Sequence, residues 1–80
     1  MKLTESQLNK LRKKYKLTKR ESEIIKVLFL GINENREIAN SIKSSFRTVG
    51  VHLANIYKKT GCNNKLSLTM KLLDEILKKI

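Results

Sequence analysis

The side chains best suited to chemistry gather between residues 36 and 59, and what they suit is gripping a polyanion. Ser45 can cap a helix that begins at Phe46, leaving free N–H groups and the positive end of a dipole near Ser45, Phe46 and Arg47, where a phosphate is favoured. Arg47 can bond a phosphate or a guanine edge, and Asn55 can pair in bidentate fashion with adenine. His52 completes the polar set. Catalytic chemistry is a poor fit. Glu21, Glu23 and Glu37 suit capping and ion pairing with Arg20, Arg36 or Lys59 better than a general acid–base pair. No Gly-rich phosphate loop or nucleophile signature is present. One Cys and one His make neither a disulfide nor a metal set, which fits a reducing cytoplasm. No enzyme activity, cofactor, metal or small-molecule ligand is expected.

These residues need a scaffold that presents them, and the periodicity supplies five helical segments. Segment 4–15 opens with a capping box, Thr4 with Gln7, and a hydrophobic staple, Leu3 with Leu8; Leu8, Leu11 and Tyr15 form its narrow apolar stripe. Segment 19–30 opens with a second box, Thr18 with Glu21. Its inward face comprises Ile24, Val27 and Leu28, joined by Ile25 and Leu30, and Gly31 ends it with a positive φ. A short segment, 36–43, is capped by Asn35 and turns Ile38, Ala39 and Ile42 inward. Ser44 and Ser45 interrupt, and 46–59 follows with Val49, Leu53, Ile56 and Tyr57 inward and Gly61 after its end. Cys62 then makes the apolar contact of that helix end. Asn64 caps the last segment, 65–79. A short helix, a tight turn and a longer helix over 36–59 is the helix-turn-helix layout, with small Ala39 where the two rods cross.

Composition points the same way. The chain has 80 residues, 40% of them hydrophobic, which suffices for one small core. Its net charge of +11 suits a polyanionic partner. The charge is uneven: residues 1–20 hold eight Lys or Arg and one acid. The absence of Pro and Trp and the presence of three Gly argue against a turn-rich β-sandwich. The longest apolar run, Val27 to Leu30, is far shorter than the ~20 residues of a membrane span. No signal-peptide apolar region follows Met1 and Lys2. The apolar residues are spread over several capped helices, which disfavours a membrane-surface helix.

The joint pattern resembles the LuxR/GerE-type DNA-binding domain. It is carried by Leu17-Thr18-Lys19-Arg20-Glu21, Gly31, Asn35-Arg36-Glu37-Ile38-Ala39, Ser45-Phe46-Arg47-Thr48-Val49, His52, and Ile56 through Gly61, over residues 17–77. The resemblance implies an all-α, four-helix helix-turn-helix domain over 17–80. Residues 1–16 are then an extra short basic N-terminal helix. It implies that helix 46–59 enters the major groove of double-stranded DNA and that helix 65–79 pairs two copies. By residue, it implies phosphate contacts at Thr18, Arg20, Asn35, Arg36, Thr48, Lys58 and Lys59, with Ser45 added by its cap position. It implies a groove-facing set at Gly50, Val51 and Ala54, to which Arg47, His52 and Asn55 add polar groups. The chain departs from the family where Gly50 replaces a common basic residue, and where Gly31 to Glu37 is one residue longer than usual. Val51 offers only apolar contact, such as a thymine methyl. Affinity is therefore expected to lean on phosphates.

The last helix carries two apolar rows. Leu66, Met70, Leu73, Leu77 and Ile80 follow a heptad spacing, and Leu68, Leu72 and Ile76 form the other. A single docking face needs one row, so one is expected on the domain and the other on a partner copy. The expected protein is a stand-alone, cytoplasmic, nucleoid-associated bacterial transcriptional regulator, acting as a homodimer, with RNA polymerase as a further possible partner. The alternatives are a module that pairs with a larger helix-turn-helix regulator, and a domain like region 4 of sigma factors.

Overall fold

A computed structural model describes residues 1–78. Among these, five helices and no strand are present: α1 (Glu5–Tyr15), α2 (Lys19–Phe29), α3 (Asn35–Ser41), α4 (Phe46–Thr60) and α5 (Lys65–Leu77). Four of the five starts are fixed by side-chain caps. The Thr4 hydroxyl accepts from the Gln7 amide while Gln7 accepts from the Thr4 amide, and Thr18 and Glu21 repeat the exchange. Ser45 and Asn64 accept from the amides of Thr48 and Ser67. Each cap satisfies a donor that a helix start otherwise leaves open.

The helices share one core. Leu3, Leu8 and Leu11 from the N-terminal segment join Ile24, Ile25, Leu28, Ile38, Ala39, Val49, Leu53, Ile56, Leu68 and Leu72. α2 is the hub, packing against each of the other four helices. A polar tie reinforces this arrangement at the ends of α1 and α5, where Lys14 and the Tyr15 hydroxyl both meet the Glu75 carboxylate. Burial raises the Glu75 carboxyl, but the bonds from Lys14 and Tyr15 outweigh it and leave the group below the usual carboxylate range. Burial and the same carboxylate push the Tyr15 phenol up.

Three expectations need correction. Leu30 does not join the inward face of α2; it follows the last helical turn and is exposed. Phe29 takes a buried place there that the i, i+3, i+4 pattern did not assign. Asn35 does not cap α3. The helix starts one residue early, with Asn35 in its first turn and Glu34 at the cap position without a side-chain bond. The far end also shortens: Ile42 and Lys43 leave the helix, although Ile42 stays buried in the core.

Candidate nucleic-acid interface

α3 packs against α4, and the small Ala39 is buried together with Ile38, Ile42 and Val49. The turn between them is set by Lys43 at φ 54° and by the Ser44 amide, which donates to the Ala39 carbonyl at 2.8 Å. Ser45 then starts α4. Its Oγ accepts from the Thr48 amide at 3.0 Å, and its hydroxyl donates to the Thr48 hydroxyl at 2.8 Å. Both hydroxyls thus hold the tip of the helix in shape.

α4 has two unlike sides. Val49, Leu53, Ile56 and Thr60 are buried, and the Thr60 hydroxyl returns a bond to the Ile56 carbonyl. Helical spacing sends Arg47, Val51, Ala54 and Lys58 to the opposite side, with Gly50 and Asn55 beside them. All six are exposed, Val51 at 57%. The 15 residues of α4 include no acid. At Gly50 an added Cβ would meet no other atom within 4 Å, so the fold itself does not require the glycine. His52 is half-buried at the flank, and Tyr57, expected inward, is also half-buried.

The other predicted contact residues fall into distinct environments. Thr18, Arg36, Ser45, Thr48 and Lys58 are exposed at the surface. The Arg36 guanidinium lies 5.8 Å from the centre of the exposed Phe46 ring, which ties the start of α3 to the start of α4. Arg20 is half-buried. It donates to Glu23 and to the Ile42 carbonyl, both at 2.9 Å, placing a cation at the negative end of α3. Asn35 has its Oδ1 buried without a hydrogen-bond partner among the described residues. Lys59 is turned inward, donating to the Glu21 carboxylate at 2.7 Å and to the Lys16 carbonyl at 3.0 Å. Glu21 is only 3% exposed. Burial pushes its carboxyl up, but Lys59 and the Thr18 amide more than reverse this, and the group sits below its ordinary value.

On α5 the structure separates the two apolar rows. Leu68 and Leu72 are fully buried and Ile76 half-buried. Leu66 (71%), Met70 (61%) and Leu77 (61%) stand exposed, with Leu73 half-buried between the rows. Ile80 lies outside the described residues. Cys62 is a half-buried thiol packed on the core, and its amide closes the end of α4 onto the Tyr57 carbonyl. Among the described residues no group of three or more His, Cys, Asp or Glu is placed to hold a metal, and no helix is long and apolar enough to cross a membrane.

An all-α core that holds a short helix against a longer one, with the longer one's outer face exposed, basic and free of acids, defines a helix-turn-helix domain. The model of the family of bacterial regulatory proteins known as the luxR family (GerE) matches residues 15–72, and the chain belongs to that family. No curated protein and no solved structure matches it. The matched family consists of DNA-binding transcription regulators rather than enzymes. The match leaves out most of α1, the extra N-terminal helix.

Proposed function

We propose that this protein is a bacterial transcriptional regulator that binds duplex DNA by laying α4 in the major groove, as a homodimer joined through α5, in the cytoplasm at the nucleoid. The observation that carries the reading is the two-sidedness of α4. One side is locked into the core, and the other offers Arg47, Val51, Ala54 and Lys58 to an open surface without an acid on the helix. At 15 residues α4 is about 22 Å long, enough to cross a groove ~12 Å wide. Arg36, Thr48 and Lys58 take phosphates, with Thr18 and Ser45 beside the backbone at the starts of α2 and α4. Gly50, Val51 and Ala54 permit close apolar approach, and Asn55 and His52 add polar contacts at the edges. Lys59 is left out of the contact set because its ammonium is already bonded to Glu21. Arg20 acts chiefly by holding α2 to the end of α3.

The test is a titration of short duplexes at several salt concentrations. Binding should weaken steeply with salt, as counterions are released. Arg47→Ala with Lys58→Ala should weaken binding to most sequences and make the slope of log K against log salt shallower by about 1–2. Unchanged affinity in the double variant removes this contact map, and no duplex binding at low salt removes the reading.

Leu66, Met70 and Leu77 favour an apolar partner for α5. A twofold pair buries this row from both copies, and each fully buried side chain contributes about 1.5–3 kcal/mol before association costs. Met70→Lys should turn a dimer into a monomer in sedimentation while the chain keeps its helical circular dichroism, and it should remove any dependence of the melting temperature on protein concentration. The same row supports a second reading, in which the chain pairs with a larger helix-turn-helix regulator. A wild-type monomer that forms a heterodimer on mixing favours that reading.

A further inference from the structure

Four helices in this protein end on the same closure. An amide bonds back five residues to a helical carbonyl, and the residue before that amide takes a positive φ. At α2 the Ile32 amide donates to the Val27 carbonyl at 3.4 Å, with Gly31 at φ 93°. At α4 the Cys62 amide donates to the Tyr57 carbonyl at 3.2 Å, with Gly61 at φ 75°. At α1 the Leu17 amide donates to the Arg12 carbonyl at 3.0 Å, with Lys16 at φ 55°. At α3 the Ser44 amide donates to the Ala39 carbonyl at 2.8 Å, with Lys43 at φ 54°. Glycine takes this conformation freely, whereas a lysine sets its Cβ against the backbone carbonyl. Two of the four closures thus keep a lysine where the other two have glycine.

Both lysines are exposed, and both are held beside the first turn of α2. The Lys59 ammonium bridges the Lys16 carbonyl and the Glu21 carboxylate, while the Arg20 guanidinium reaches the Ile42 carbonyl at 2.9 Å and the Lys43 carbonyl at 3.5 Å. The acid of that turn and the next one along are already neutralised, Glu21 by Lys59 and Glu23 by Arg20. Among the described residues neither Lys16 nor Lys43 has an acidic partner within ion-pair distance. Their backbones are rigidly placed, and their charges add to the field of the start of α2 without cancellation.

We propose that Lys16 and Lys43 are phosphate-binding residues flanking the start of α2, which widen the DNA-backbone footprint beyond α4. The inference rests on the reading of α4 as the groove helix. Lys43 sits two residues before the cap of α4, and Lys16 is joined to its last turn through Lys59. The two lysines therefore adjoin opposite ends of the helix that enters the groove. An anchored backbone leaves only side-chain freedom to lose when each ammonium meets a phosphate.

The test compares three double variants with the wild-type chain on a short random-sequence duplex across a salt series. K16Q/K43Q should make the slope of log K against log salt shallower by about 1.8, at about 0.9 per lost phosphate contact. K10Q/K78Q removes the same charge from the cleft between α1 and α5 and should leave the slope near that of the wild type. K16G/K43G should lose slope as the Gln pair does, yet melt at the same temperature or higher, because glycine relieves the left-handed backbone. Wild-type binding with an unchanged slope in K16Q/K43Q, or with equal loss in K10Q/K78Q, overturns the flanking contacts and leaves the α4 reading standing. A wild type that binds no duplex at low salt overturns both.

Discussion

Ile56→Ala is expected to lower stability by about 3 kcal/mol, and to abolish duplex binding near the melting point of the variant but not well below it. Ile56 is fully buried on the inner side of α4, opposite the groove face. Truncation removes three carbons from a close-packed site and leaves a cavity that neighbouring helices fill only in part; such changes cost about 2–5 kcal/mol. An 80-residue domain has a total stability of about 4–12 kcal/mol, so a large share is lost. Urea melts measure the first effect. Duplex titration at two temperatures measures the second, because no contacting side chain has changed. A variant that melts like the wild type would contradict the placement of Ile56 in the core. A variant that stays folded in the cold but binds no duplex would show that the groove face depends on more than the position of the helix.

The second large effect concerns the pair that joins α4 to α2. Lys59→Ala leaves the Glu21 carboxylate, 3% exposed, without its cation. Removing one partner of a fully buried pair costs about 3–5 kcal/mol. Lys59 itself is partly exposed and water can replace it in part, so about 2 kcal/mol is expected at neutral pH. In the wild-type protein the Glu21 carboxyl is held below its ordinary value, so its contribution is complete above the unfolded carboxylate range and is lost as pH falls through the folded value. In the variant the Lys59 contribution is gone, only the Thr18 amide and the His52 charge still oppose burial, and the carboxyl rises from its wild-type position. Relative to the wild type, its penalty is then full at neutral pH and fades as acid protonates it. The stability gap between the two proteins should therefore narrow from pH 7 toward the ordinary carboxylate range. Equal gaps at both ends of a urea-melt pH series would reject the pair as the cause. Duplex affinity should fall far less than in a Lys58 variant, since the Lys59 charge is already matched within the fold.

Arg20 and Lys59 show where sequence reading of the interface reached its end. Both match positions at which the family resemblance implies phosphate contacts, and both are basic and near helix ends. In the fold, each is drawn to a group far along the chain, Arg20 to Ile42 and Lys59 to Glu21. Their pairing with Glu23 and Glu21 was readable as a choice of partners, since few acids are available. How much of each charge stays free for a ligand was not, because that depends on how the start of α2 is set against α3 and α4. Lys16 and Lys43 carried no sequence signal beyond their charge; lysine is not a residue that announces a left-handed turn.

What the amino-acid order settled alone is local. Thr4 with Gln7, Thr18 with Glu21, Ser45 with Thr48 and Asn64 with Ser67 act across three residues. The inward faces of α1 and α4 follow from the helical repeat. Such rules need no knowledge of the rest of the chain. Tertiary packing decided which apolar row of α5 turns inward, since Leu68 and Leu72 are no more apolar than Leu66 and Leu77. It also moved the start of α3 back onto Asn35 and placed Leu30 in water. The choice between the α5 rows is a competition between chemically equal groups for one surface on α2, and it is resolved by the shape of that surface, which the repeat along a single helix does not contain.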